Sequence, residues 1–293
     1  MSHYSIRDLE TFTGIKAHTI RIWEKRYGIV EPARTDTNIR YYDDEDLKRL
    51  LNVSILNRHG FKISEITKLS TQEIAEKILQ VTVQSVNVDN YIESLVIAMI
   101  ELNEEQFDKT LTSFIIKMGF EDAVLKVLYP LFERIGVLWQ VGSIVPAQEH
   151  FISALIRQKM IVAIDGITAP RKPEGKTCVL FLPENEWHEL GLLFCSYLLK
   201  KAGHHVVYLG QNVPVGNIQM VVKKHPVRFL ITQLVAGRSV EEINGLLGFL
   251  SAQFPEHKVL VGGIQILEKE IAPHENVALI PSIQALKQLI DNQ

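Results

Sequence analysis

Apolar and polar positions follow three successive rhythms along the chain. Up to about residue 70, apolar residues come in short groups among charges. Ser5-Ile-Arg-Asp-Leu-Glu-Thr-Phe12 carries an N-cap serine and Asp8 at the capping-box position, which predicts a short helix. Gly14 permits a tight turn. Lys16 to Tyr27 then repeats Ile20, Trp23 and Tyr27 at i, i+3 and i+7, a second helix with one apolar face and basic residues around it. Helix, glycine turn and basic helix predict a helix-turn-helix. Pro32 to Tyr42 is an extended polar loop, and Asp43-Asp-Glu-Asp46 opens a further helix with acids at its positive end. Gly60 breaks that pattern, and Ser64 is placed to cap another short helix.

From about 71 the rhythm lengthens. Helical periodicity runs through Asp89–Ile100, Phe107–Met118, Ala123–Leu138 and Pro146–Ile164, predicting a four-helix bundle. Residues 169–176, with two prolines and a glycine, read as a linker. Beyond it, short apolar runs (Cys178–Leu182, His205–Leu209, Arg228–Leu234, Lys258–Val261, Val277–Ile280) alternate with the amphipathic stretches Leu190–Lys201, Val215–Lys224 and Val240–Gln253. Such alternation predicts a parallel α/β sheet covered on both faces. The expected fold is multidomain: a winged helix-turn-helix over 1–70, a helical bundle over 71–168, and a Rossmann-like, flavodoxin-like α/β domain over 176–293.

Composition changes this picture little. With 293 residues and 46% hydrophobic content, the chain can build two or three real cores. Its 31 basic and 34 acidic residues exclude a polycation, so any DNA contact must be local. Residues 1–70 hold 12 Lys/Arg against 10 Asp/Glu, a weak charge signal. Cys178 and Cys195 have no metal-ligand spacing and read as buried free thiols in a reducing compartment. Neither a signal-peptide pattern nor a run of about 20 apolar residues is evident, so a cytoplasmic protein is expected.

Two groups of residues carry candidate chemistry. Lys16, Thr19, Arg21, Lys25 and Arg26 on the second helix, with Arg34, Arg40, Tyr41 and Tyr42 in the loop, could meet phosphates and base edges. The residues alone leave a small protein-interaction domain equally open. In an open α/β sheet, ligands sit beyond the C-terminal strand ends. Glu186 and His188 fall there after the first strand, Gly210-Gln-Asn212 after the second, Thr232-Gln233 after the third and Gly262-Gly263 after the fourth. Singly, a loop histidine is usually plain surface and a Gly-Gly pair a turn. No His/Cys/Asp cluster suits zinc, and no GxGxxG suits a dinucleotide.

Ser5-Ile-Arg-Asp-Leu9, Thr19-Ile-Arg-Ile-Trp-Glu-Lys-Arg-Tyr-Gly-Ile-Val-Glu-Pro-Ala-Arg34 and Ile39-Arg-Tyr-Tyr-Asp-Asp-Glu-Asp-Leu47 together resemble the winged helix-turn-helix of the MerR family. The resemblance implies a dimeric reader of double-stranded promoter DNA, with residues 16–27 in the major groove and the loop 34–42 as a wing on the backbone. Asn38 stands where the family has glycine, and asparagine tolerates the left-handed backbone. A plain C-terminal coiled-coil helix is missing, so dimer geometry must come from elsewhere.

Glu186-Trp-His188-Glu-Leu-Gly191, Tyr208-Leu-Gly-Gln-Asn-Val-Pro214, Thr232-Gln-Leu234 and Gly262-Gly263 resemble the motifs of the cobalamin-binding domains, with threonine in place of the family's serine. The resemblance implies His188 as lower cobalt ligand, Glu186 as its partner, and a cofactor tail lined by Thr232, Gly262 and Gly263, with Gly191, Gly210 and Leu234 as further cofactor-binding residues. Gly136-Val-Leu-Trp139 followed by Gln148-Glu149-His150 is similar to the Trp-x9-Glu-His signature of MerR-type cobalamin photoreceptor regulators. That implies a cap in which Trp139, Glu149 and His150 face the cofactor's upper side. Gln140 follows Trp139 where photoreceptor members carry histidine; an amide is a far poorer cobalt ligand, which separates light sensing from cobalamin binding. The expected function is a non-enzymatic, homo-oligomeric transcriptional repressor (dimer or tetramer) controlled by adenosylcobalamin or methylcobalamin. The alternatives are a cofactor-free or other-ligand regulator with a degenerate cobalamin domain, and a cobalamin enzyme subunit, for which no barrel-sized substrate domain is present.

Overall fold

A computed structural model of the chain describes residues 4–35, 38–84, 87–140, 144–168, 170–267, 269–272 and 274–291. They fall into two compact units, Met1–Leu155 and Ile156–Gln293.

The first unit opens with α1 (Ile6–Thr13), α2 (Ala17–Tyr27), the two-stranded β1 (Ala33–Arg34) and β2 (Arg40–Tyr41), α3 (Asp44–Arg58) and α4 (Ile63–Ile66). The capping box expected at α1 is formed: Asp8 N–H donates to Ser5 Oγ at 3.3 Å and Ser5 N–H to Asp8 Oδ2 at 2.7 Å. An equivalent pair, Asp43 and Asp46, opens α3. Gly14 and Gly28 end α1 and α2 at φ 69° and 58°, where a Cβ would be strained. Ser64 is not a cap. It lies inside α4, whose start is held by the Glu65 carboxylate accepting from Lys62 N–H.

Five helical stretches follow rather than four: α5 (Thr71–Gln84), α6 (Val88–Ile100), α7 (Glu104–Met118), α8 (Phe120–Ala123) continuing through a π-helical turn at Val124–Leu128 into α9 (Tyr129–Gln140), and α10 (Pro146–Asp165). The added helix, α5, ends in Val81-Thr-Val83, a β-branched run with low helix propensity, yet tertiary packing on α3 and α7 overrides it. Polar ties join α1 and α3 to these helices. Arg58 of α3 pairs with buried Glu93 of α6, and Lys48 with Glu101. Arg134 of α9 donates to the Thr11 carbonyl at 3.0 Å and lies 5.6 Å over the Phe12 ring. Burial pushes the Glu93 carboxyl up to about 7, with Arg58 opposing the shift.

The second unit alternates β3 (Thr177–Pro183), α11 (Leu190–Lys201), β4 (His205–Val213), α12 (Val215–Lys224), β5 (Val227–Gln233), α13 (Val240–Gln253), β6 (Lys258–Gly262), α14 (Ile264–Leu267), β7 (Val277–Leu279) and α15 (Ile283–Asp291). The five strands are all parallel in the order β4-β3-β5-β6-β7. Counted within the unit that is 2-1-3-4-5, the flavodoxin-like order with its switch point between β3 and β5. Alternation along β3 divides two cores: Cys178, Leu180 and Leu182 pack with α11 and α15, while Val179 and Phe181 pack with residues of α12 and α13. The predicted linker is partly held, since Lys172 N–H donates to the Gly203 carbonyl at 3.0 Å; residue 169 lies outside the described residues.

Candidate functional site

The loop leaving β3 is organised by one carboxylate. Asn185 turns the chain at φ 64° and carries Glu186 inward, where its side chain is fully buried. Oε2 accepts from the backbone N–H groups of Val235 at 2.9 Å and Ala236 at 2.8 Å, on the segment leaving β5. Oε1 accepts from Trp187 N–H, His188 N–H and His188 Nδ1–H, the last at 2.6 Å. Burial pushes this carboxyl up, but the hydrogen bonds from His188, Val235 and Ala236 outweigh burial and hold it at about 2. An ionised carboxylate at Nδ1 fixes the imidazole tautomer and leaves the ring lone pair on Nε2, in a side chain 59% exposed.

Neighbouring groups brace the same loop. Gln211 Nε2 donates to the Trp187 carbonyl at 2.7 Å, Asn212 Oδ1 accepts from Asn185 N–H at 2.9 Å, and Asn212 N–H donates to the Glu186 carbonyl at 3.2 Å. Gln211 and Asn212, expected in a loop, belong to β4, which runs on to Val213. Glu189 is buried between Arg157 Nε at 2.5 Å and the Tyr208 hydroxyl at 2.8 Å. Beside the loop, Thr232 is fully buried and its Oγ1 has no hydrogen-bond partner. Leu234 is also buried. Gly191, in the first turn of α11, and Gly262, at the end of β6, both face the Gln233 side chain. Gly263 has another reason to be glycine: at φ 105° its Cβ would fall 2.2 Å from the Leu234 carbonyl oxygen. Gly210 likewise sits at φ 83°.

Trp139, Glu149 and His150 lie in the first unit. Trp139 is 50% exposed near the end of α9, an unusual surface tryptophan. Glu149, in the first turn of α10, accepts from Ser153 Oγ at 2.8 Å and lies 3.1 Å from His150 Nδ1.

On the DNA-reading elements, Ile20 anchors α2 to the core, while Arg21, Lys25 and Arg26 are exposed and Thr19, Trp23 and Tyr27 half-buried. Lys16 pairs with Glu10 at 3.0 Å, and Glu10 also caps α2 through Ala17 N–H at 3.1 Å. In the wing, Arg34 Nη1 donates to Asn38 Oδ1 at 2.6 Å, with Asn38 left-handed at φ 65°. Residues 36 and 37 lie outside the described residues. Two further residues of the expected DNA-contacting set, Arg40 and Tyr42, also have partners within the protein. Arg40 is bound to Glu24 at 3.3 Å, which ties the wing to α2. Tyr42 is a core residue, fully buried with its hydroxyl 3.5 Å from Glu24, and burial beside that carboxylate pushes it up to about 12. Tyr41 remains half-exposed.

Comparison with known proteins decides what these parts are. Residues 4–73 match the MerR HTH family regulatory protein, and residues 91–163 match a B12 binding domain. The chain joins a MerR-type head to a B12-binding domain. It is 29% identical to the HTH-type transcriptional repressor CarH of Myxococcus xanthus over 89% of this chain and 88% of that protein. To the repressor CarA of the same organism it is 28% identical, over 88% and 86%. Its structure resembles the Methanosarcina barkeri monomethylamine corrinoid protein with a TM-score of 0.56 at 18% identity, covering 70% of this chain and 99% of that one, a likeness of fold. The curated relatives are named as transcriptional repressors, not as enzymes.

The donor set of the α/β domain suits a corrinoid. An imidazole with its tautomer fixed by a buried carboxylate is the arrangement of a metal-ligating histidine and its partner. An orphaned buried hydroxyl, Thr232 Oγ1, leaves a polar position for a ligand atom. Among the described residues no group of three or more His, Cys, Asp or Glu could hold a metal ion. No helix among them is long and apolar enough to cross a membrane. Glu24, Arg157 and Glu189 escaped the sequence reading because each acts through a partner distant in the chain.

Proposed function

We propose that the protein is a cytoplasmic DNA-binding repressor, with a head over 1–70, a helical domain over 71–168 and a cobalamin-binding domain over 176–293. Cobalamin occupancy sets its oligomeric state and through it the avidity for promoter DNA. The observation that carries this reading is the Glu186–His188 pair at the sheet's switch point, on the same chain as a MerR-type head. When bound, the corrinoid would supply a cobalt centre with an exchangeable ligand. His188 Nε2 would ligate it, with Glu186 holding the Nδ1 proton and raising the basicity of the ring. Thr232, Gly191 and Gly262 would line the nucleotide tail. Trp139, Glu149 and His150 would be further cofactor-facing residues.

Each head reads one half-site through α2 and the wing. Joining heads in an oligomer converts the second contact into an intramolecular event, so a change in assembly alters DNA affinity without altering any head. Light enters as an arm of the test, since Gln140 follows Trp139. Purified protein is mixed with adenosylcobalamin or methylcobalamin in the dark and in light. Retained cofactor, molecular mass and affinity for promoter DNA are then measured for wild type and His188→Ala. Expected are cofactor retention by wild type, a spectrum in H188A that lacks histidine ligation, and a mass that rises with cofactor. Failure to retain either cobalamin, or DNA binding indifferent to cofactor, would overturn the proposal in favour of a cofactor-free regulator.

A further inference from the structure

Gly191 and Gly262 differ from Gly203, Gly210 and Gly263, whose positive φ excludes side chains. At Gly191 the lack of a Cβ is a matter of space, whereas at Gly262 a Cβ would make ordinary contact. The space at Gly191 is filled by the Gln233 side chain. A Cβ on Gly191 would fall 2.2 Å from Gln233 Oε1 and 3.1 Å from its Nε2, and one on Gly262 would lie 3.7 Å from its Cγ. Gln233 thus lies between Gly191 and Gly262, on the face of the sheet that α11 covers. Its anchor there is weak: Nε2 donates to the Cys195 sulfur at 3.4 Å, and a thiol is a poor acceptor. Burial pushes the Cys195 thiol up to about 12, so it stays neutral and gains no acceptor strength from charge. The side chain is only partly buried and has three rotatable bonds, so it can swing out without disturbing the sheet.

We propose that Gln233 is a displaceable plug in the channel that receives the nucleotide tail, making entry of tail-bearing corrinoids conditional on rotation of its amide. The inference rests on the reading of this site as a cobalamin site. It assigns to one residue a control over which corrinoids bind readily: those with a tail must expel the amide, and those without one need not. Chain bulk, rather than the amide itself, is the obstacle.

The test compares cobalamin with cobinamide, a corrinoid without the nucleotide tail, on the full chain by visible absorption in stopped flow and at equilibrium. Gln233→Ala removes the plug and Gln233→Leu keeps its bulk without the amide; thermal melts confirm that both variants fold. Removing the bulk that the tail must displace should speed cobalamin uptake by about threefold to tenfold. Q233L keeps that bulk and loses only the bond to Cys195, so it should stay within about twofold of wild type, a fraction of one modest hydrogen bond, and cobinamide uptake should be the same in all three proteins. Unchanged or weaker cobalamin binding in Q233A would overturn the plug, as would an equal gain for cobinamide. If cobinamide binds every protein and only the cobalamin difference is missing, the plug alone falls. If neither corrinoid binds any protein, the cobalamin reading falls and the plug with it.

Discussion

Replacing Glu186 by glutamine tests the organisation of the strand-end loop most directly. The side chain keeps its size, but one oxygen becomes an NH2 donor aimed at a cluster of five donors, all of which now point at a carboxylate. The wild-type carboxyl is held at about 2 against an ordinary 4.5. At about 1.4 kcal/mol per unit, the ionised form stabilises the folded α/β unit by roughly 3 kcal/mol at neutral pH. Because the folded value is depressed, this contribution is complete above the ordinary value and disappears as pH falls from about 4.5 towards 2. Urea denaturation followed by Trp187 fluorescence, in a Trp23→Phe, Trp139→Phe background, isolates the loop's own unit. Glu186→Gln should lose about 3 kcal/mol at pH 7, and the deficit should shrink below pH 4.5. A deficit under about 0.5 kcal/mol at pH 7, or one that persists unchanged in acid, would refute the hub.

Further outcomes follow from other residues. Gly263→Ala forces a Cβ into the Leu234 carbonyl at φ 105° and should destabilise the α/β unit by at least about 2 kcal/mol in a thermal melt. Glu93, pushed up to about 7 by burial, binds its proton more tightly folded than unfolded, so the helical unit should lose stability as pH rises from 4.5 to 7. Glu93→Gln should abolish that slope in urea titrations at several pH values. Lys25→Ala, on the exposed side of α2, should weaken DNA binding similarly across sequences and reduce the log–log salt slope by about one. Fluorescence anisotropy over a salt series reads both effects.

Periodicity made most of the architecture legible. β3 is apolar at every interior position, and β5 over Phe229–Ile231, because helices cover both faces, and the strand–helix alternation alone yields a parallel sheet. The Glu-x-His spacing placed the hub because its two members are near in the chain. Residues whose roles depend on distant partners left no such mark. Glu189 resembles any helix-start acid until Arg157 and Tyr208 are seen around it. Tyr42 and Tyr41 look alike in sequence, but only Tyr42 exchanges backbone hydrogen bonds with Tyr4 and is drawn into the core. The helix α5 was hidden by its β-branched end, and Ser64 misled because Glu65 already supplies the cap.

The carboxylate at the switch point also has a thermodynamic meaning. Five hydrogen bonds hold Glu186 and the loop around it, so the His188 ring is oriented before anything docks on it. Little conformational freedom remains to be lost there on association, and this preorganisation makes the histidine a constant contributor to affinity. Differences in affinity between ligands must then arise where the protein still has to rearrange, away from the metal-facing ring.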